Sequence, residues 1–371
     1  MNIIQLNEGI HIFLRRIQVG VFGFHRYGGS AQEILKQIIE ACWNKKDSYF
    51  MTSTGHFSLF YMRDFGWCTK ALLELGYKEK VSSTLHYALV CYEKKGRVTT
   101  TITAKGTAFD FPRMASDSLP YLIRSLRYLG DRKLIAQYKT FLEREVQRYY
   151  HEIFDPQLGL VRKQLWLSSV KDHAIRNSST YDNCMCMMIK EDLDIIGLTN
   201  PFAKYDIKKN ITKHLFNGSY FYNDLDKEPI VYGDANTFPF VTGFLDSKLT
   251  LKKCITSLEQ AQLTTPFPLK YQAVQHTKEK RIWQANLVVQ YETHSIWMHM
   301  MPLFLCLVKH VDENSFTKYL KLITTLIERE KNYLEVYDHL GKPLRNPFYV
   351  SDEGMIWASM LLALLQKKEI I

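Results

Sequence analysis

The sequence predicts an all-α fold, an (α/α)6 toroid of about twelve helices with short strands in its long loops. Three observations predict it. Segments with helical apolar patterning recur along all 371 residues with no evident linker between them. They alternate between two types, one charged along one face and one apolar or small all round, which must be buried on every side. The connections alternate as well, some very short and others long. Six hairpins closed into a ring, each with an outer and an inner helix, satisfy all three. The expectation is a single toroid domain over 1–371, with 1–29 as an N-terminal extension packed on it.

The outer series is expected at 30–44, 78–95, 131–153, 202–216, 248–262 and 314–333; KLIAQYKTFLEREVQRYYHEIF and SFTKYLKLITTLIEREKNYL show its charged face. The inner series is expected at 65–76, 117–129, 182–197, 237–246, 293–311 and 353–367, as in SIWMHMMPLFLCLV and GMIWASMLLALL. Gly76-Tyr77, Gly130-Asp131 and Asp246-Ser247 make the short turns. The stretches 96–116, 154–181, 217–236, 263–292 and 334–352 are the long ones. An active site belongs at the long-loop end, where irregular chain can present side chains from a rigid scaffold.

Composition removes several classes of function. Forty-six per cent apolar and 23% charged residues describe a packed globule, not a disordered chain. The formal charge is +10, but the basic residues are dispersed in pairs such as Lys45-Lys46, Lys94-Lys95, Lys208-Lys209 and Lys367-Lys368. With no arginine-rich or zinc-finger segment beside them, they read as a basic coat, and no nucleic-acid partner is expected. No apolar run approaches the roughly eighteen residues of a membrane span. Ile296–Val308 comes nearest and contains His299. No membrane partner is expected, and MNIIQLNEGIHIFLRR lacks the layout of a signal peptide. The seven cysteines, Cys184-x-Cys186 included, read as reduced core thiols of a cytoplasmic protein, with no metal site and no cofactor. The oligomeric state is left open.

Each inner helix opens with a carboxylate: Asp64, Asp117, Asp182, Asp234, Glu292 and Asp352. Acids favour helix N-termini as caps and as partners of the dipole, so each one alone reads as a capping residue. In a toroid, however, all six inner N-termini converge at one end of one axis. Ringed by Trp67, Trp297 and Trp357, they would form a polar, aromatic funnel suited to sugars and hostile to phosphate. Glycoside hydrolysis needs a carboxylic acid to protonate the leaving oxygen and a second carboxylate as base or nucleophile. A helix-capping carboxylate is held ionised, so the acid should come from a long loop. Asp172 and Glu335 are such loop acids.

These segments are similar to those of the six-hairpin glycosidase superfamily, most of all to the amylo-α-1,6-glucosidase domain of glycogen-debranching enzymes. Arg63-Asp64-Phe65-Gly66-Trp67 resembles the Arg-Asp motif that holds hydroxyls of the sugar whose bond is broken. Asp117-Ser118-Leu119-Pro120 resembles the next family segment, and Ser169 to Asp172 followed by Arg176 and Tyr181-Asp182-Asn183 resembles the one carrying the general acid. Gly233-Asp234-Ala235-Asn236 and Leu334-Glu335-Val336-Tyr337-Asp338 are similar to the Asn-containing helix start and the segment of the catalytic base. Two departures stand out: Glu292-Thr293-His294-Ser295-Ile296-Trp297 replaces a Gly-rich, Trp-containing segment, and Trp166 lies several residues from Asp172.

The resemblance implies an inverting glycoside hydrolase acting on a gluco-oligosaccharide, α-linked, with Asp172 as acid and Glu335 as base. Asp182 is the reserve acid. Arg63, Asp64, Trp67, Asp117, Tyr181, Asp182, Asp234, Asn236, Glu292, Trp297 and Trp357 would bind substrate. Two other readings use the same chain. A sugar epimerase or polysaccharide lyase on the toroid would need a His or Tyr base, for which His56, His173, His294 and His299 are candidates. A helical-repeat binding protein would perform no turnover.

Overall fold

The computed structural model describes residues 3–274 and 279–371. Its helices are α1 (Ile3–Phe22), α2 (Ala31–Ala41), α3 (Met62–Glu74), α4 (Lys78–Lys95), α5 (Ser118–Leu129), α6 (Arg132–Gln137) and α7 (Lys139–Ile153). They continue as α8 (Thr180–Ile196), α9 (Ile207–Leu215), α10 (Gly233–Val241), α11 (Lys248–Gln260), α12 (Met300–Lys309), α13 (Glu313–Glu330) and α14 (Ala358–Leu365). The inner helices form a closed ring: α3 packs on α5, α5 on α8, α8 on α10, α10 on α12, α12 on α14, and α14 back on α3. Around it α4, α7, α9, α11 and α13 pack against inner neighbours, and α2 lies against α14 and α13. This is an (α/α)6 toroid.

Burial follows the two sequence types. In α12 every residue from Met300 to Val308 is buried, whereas α13 buries only Phe316, Ile323, Leu326 and Ile327, a single stripe. The outer helices also carry most of the side-chain caps: Asp131, Asp206, Ser247 and Asp312 accept backbone N–H bonds at the starts of α6, α9, α11 and α13. Inner helices approach closely where side chains are small. A Cβ at Gly66 would lie 2.4 Å from the Cβ of Tyr121, so α3 meets α5 there only because residue 66 has no side chain. Gly66→Ala is therefore expected to destabilise the fold by about 1–3 kcal/mol, read as a lowered urea midpoint.

Several elements differ from expectation. The outer helix of 131–153 breaks at Tyr138 into α6 and α7. The inner helices expected from 293 and 353 begin only at Met300 and Ala358. The residues ahead of them are spent on the site wall: Ile296–Trp297 pairs with Val336–Tyr337, and Leu334 bridges Glu353. A further difference is α1, whose residues the periodicity did not mark as helix. Its Ile, Val and Gly content gives weak helix propensity, and its apolar side chains lie on more than one face. Val19 is buried, while Leu6, Ile10, Leu14 and Ile17 are exposed. The helix lies across the long-loop end, tied by Gln5 Nε2 to the carbonyls of Asp110 and Pro112, by Arg16 Nε to that of Asn346, and by Arg15 to Glu353.

Short ladders brace the long loops. Phe60–Tyr61, Thr101–Ile102 and Ala108–Phe109 form a three-stranded sheet, and Ala174–Ile175 pairs with Lys280–Arg281. Together with the Trp297 ladder they set the N-terminal ends of the inner helices around one opening.

Candidate active site

A cavity of about 550 Å³ lies at that opening. Its aromatic floor comes from three inner segments. The Trp67 ring on α3 stacks on His299, just before α12, with centroids 4.4 Å apart and planes 6° apart. Trp357 meets the same imidazole edge-on at 5.1 Å. Its indole N–H donates to Asp64 Oδ1 at 3.0 Å. His299 Nδ1 is buried and has no hydrogen-bond partner among the described residues.

Arg63 is the hub of one carboxylate cluster. Its guanidinium lies 3.6 Å from Asp172, 3.8 Å from Asp117 and 3.8 Å from Asp64, sits over Trp67, and donates to the Ser169 carbonyl. Burial pushes Asp64 up to about 6 and Asp117 up to about 7, although Arg63 pulls both down.

Asp172 sits on the loop before Ala174–Ile175. Ser168 Oγ donates to its Oδ1 at 2.5 Å, and its own N–H donates to Glu292 at 2.6 Å. Burial raises its carboxyl above the ordinary value; Arg63 opposes this and Glu292 adds to it. Trp166 is brought to the same residue, its indole N–H donating to the Asp172 carbonyl at 3.0 Å. Lys171, fully buried, turns away from Asp172 to Glu279, with Nζ 3.0 Å from Oε1. That pair anchors the loop. Lys171→Met is expected to destabilise the protein by about 3 kcal/mol, because the Glu279 carboxylate stays buried with one cation fewer; a urea titration measures it.

Glu292 plays a different part. It accepts the N–H groups of Asp172 and His173 and pairs with His173 Nδ1 at 3.1 Å. Burial acts against its charge, but His173 and Arg281 outweigh that and hold it near 2, a fixed anion. His173 is correspondingly raised, burial being overcome by Glu292.

Glu335 lines the same cavity from the loop before Val336–Tyr337. Tyr291 OH donates to Oε1 at 2.6 Å, and Tyr349 OH and the Asp352 N–H donate to Oε2 at 2.5 and 3.0 Å. Burial and the neighbouring Asp352 charge push it up to about 8 despite these donors.

Eight expected residues thus line one cavity: Arg63, Asp64, Trp67, Asp172, Glu292, Trp297, Glu335 and Trp357. Asp117, Tyr181, Asp182, Asp234 and Asn236 do not. Tyr181 OH donates to Asp117 behind Arg63. Ser116 and Ser179 occupy the two oxygens of Asp182. Asp234 pairs with Arg176 at 3.3 Å, and Asn236 bonds the Phe221 and Tyr232 backbone. None of the inner-helix carboxylates acts as a side-chain cap; the one capped inner helix, α8, uses Ser179. Sequence reasoning missed Tyr291 and Tyr349 as partners of Glu335. Each lies close to a singled-out acid, Tyr291 beside Glu292 and Tyr349 just ahead of Asp352, but nothing local couples them to Glu335. Among the histidines, burial lowers His299, and lowers His56 to about 4.

No family model matches the chain, and no curated protein matches it in sequence. Solved structures do match its fold. A rhamnosidase from Klebsiella oxytoca with rhamnose bound has a TM-score of 0.63 at 8% identity, over 92% of this chain and 66% of that one. A GH63 mannosylglycerate hydrolase from Thermus thermophilus gives 0.62 at 11% identity, over 91% of this chain and 100% of the other. A glycosidase variant in complex with glucose gives 0.63 at 10%, over 91% and 96%. The chain thus spans just under two thirds of the Klebsiella enzyme, and 34% of a GH78 rhamnosidase from Bacillus sp. GL1. These structures share the (α/α)6 toroid fold of this chain.

Proposed function

We propose that the protein is an inverting glycoside hydrolase in which Asp172 is the general acid and Glu335 the general base. The observation that carries this is the pairing of two loop carboxylates, in different settings, on one cavity floored by stacked aromatic rings. Both Glu335 oxygens accept hydrogen bonds, which favour its charged form, and a carboxyl raised to about 8 by burial and Asp352 is a strong base once ionised. The Asp172 carboxyl is raised, which suits a proton donor. Arg63, Asp64, Glu292 and His299 would hold hydroxyls of a terminal pyranose stacked on Trp67, Trp297 or Trp357. The resemblance in sequence implies α-linked glucose for that sugar.

The reaction breaks the glycosidic C–O bond. Asp172 gives its proton to the departing oxygen while a water, losing its proton to Glu335, bonds to the anomeric carbon from the opposite face. Of the four candidate histidines, the lowered His56 and His299 and the ion-paired His173 make weak candidates for the base an epimerase or lyase would need. A panel of α- and β-linked methyl glycosides and disaccharides of glucose, rhamnose and mannose tests the reading. A new reducing end without an unsaturated sugar is expected from at least one; binding without turnover across the panel would overturn it.

A further inference from the structure

Two polar groups of the cavity are fixed against its buried tryptophans, Arg63 over Trp67 and Asp64 on the Trp357 indole, these rings being 5% and 3% exposed. The outer end is built differently. Ile12 and Phe13 of α1, Phe111, Leu287, Val288 and Phe348 line it from four separate segments. Phe13, Leu287 and Phe348 are 42%, 41% and 51% exposed, which marks them as the rim. The Phe13 and Phe348 rings face each other at 6.5 Å. Among the lining residues of these outer segments, the polar side chains are Gln284, whose Oε1 is buried without a hydrogen-bond partner among the described residues, and Tyr349, whose hydroxyl is already given to Glu335.

A second sugar in this space would place several hydroxyls against walls that offer one amide. Each hydroxyl stripped of water without a partner weakens binding, whereas alkyl or aryl carbon gains from leaving water. We propose that the outer end binds an apolar aglycone, so that the bond broken joins a terminal pyranose to an alkyl or aryl alcohol. This rests on the hydrolase reading for the reaction, but not for the binding. It departs from the oligosaccharide expected from sequence, because the residues of α1 and of 283–288 that form the wall belong to none of the recognised motifs. The step balances as before: the alcohol leaves with the Asp172 proton, and the sugar keeps the water oxygen.

Two measurements test the proposal. Dissociation constants of methyl, butyl and octyl 1-thioglycosides, in glucose, rhamnose and mannose series, are read by calorimetry below micelle-forming concentrations. Turnover is read with the matching O-glycosides. In the series whose sugar fits, octyl is expected to bind about tenfold or more tighter than methyl. Leu287→Ser and Phe348→Ser, both at exposed positions, are each expected to shrink that ratio severalfold. A ratio near one, a disaccharide thioglycoside that outbinds the octyl compound, or no binding in any series would overturn the proposal. A steep ratio in binding with no cleavage of any O-glycoside would leave the apolar subsite standing and remove the hydrolase reading instead.

Discussion

Asp172→Asn is expected to lower kcat by about 10²–10⁴-fold on glycosides of poor leaving groups, with little change in stability. Asparagine is close to isosteric, can still accept from Ser168 Oγ, and leaves the backbone N–H of residue 172 on Glu292. What it removes is the transferable proton. The loss should therefore depend on the leaving group. An alkoxide needs the proton and a nitrophenolate does not, so activity on nitrophenyl glycosides should fall far less. Plotting kcat against leaving-group pKa for both proteins checks this. Equal loss across the series would mean that residue 172 holds the substrate or Arg63, 3.6 Å away, and donates no proton.

Glu335→Gln is expected to cost a comparable factor, about 10²–10⁴, but uniformly across leaving groups, because the base acts on water. The wild-type pH profile bears on the same residue. The working form of the Asp172–Glu335 pair carries one proton, whichever carboxyl holds it in the empty site. Raising the pH through about 8 removes that proton, so kcat/KM should fall there. Lowering the pH far enough protonates both, and this limb lies above the ordinary Asp range because burial raises Asp172. A bell with an alkaline limb near 8 is the expected result. An alkaline limb near 5 would show Glu335 to be an ordinary carboxyl that burial and Asp352 do not raise. Tyr291→Phe and Tyr349→Phe each remove a donor to the charged form, so each should move the alkaline limb upward.

Much of the ring was legible because its helices are of two kinds. A segment such as Met300–Val308, buried at every position, can only be an inner helix, and Phe316–Ile327 with one apolar stripe can only be an outer one. The site was legible where chemistry is local: Arg63-Asp64 with Trp67, the loop acids Asp172 and Glu335, and Glu292 all reach the cavity. It was illegible where a carboxylate faces sideways along the ring. Asp182 and Asp234 share the N-terminal position of Asp64, yet Ser116, Ser179 and Arg176 engage them within the wall. Helix position does not fix a rotamer; the neighbours do. The rim was unreadable for another reason. Helix α1 lies over the long-loop end through Gln5, Arg15 and Arg16, contacts more than a hundred positions distant in sequence.

The stereochemistry of the first-formed product bears most directly on the two-carboxylate account. Wild-type protein is mixed with the best α-glycoside of the panel, and the anomeric protons are followed by NMR before mutarotation. The account predicts that the β-anomer appears first and the α-anomer only later, since Glu335 directs water to the face opposite the leaving group. Initial accumulation of the α-anomer would contradict it, because retention requires a covalent glycosyl-enzyme and a nucleophile where the water of this mechanism stands.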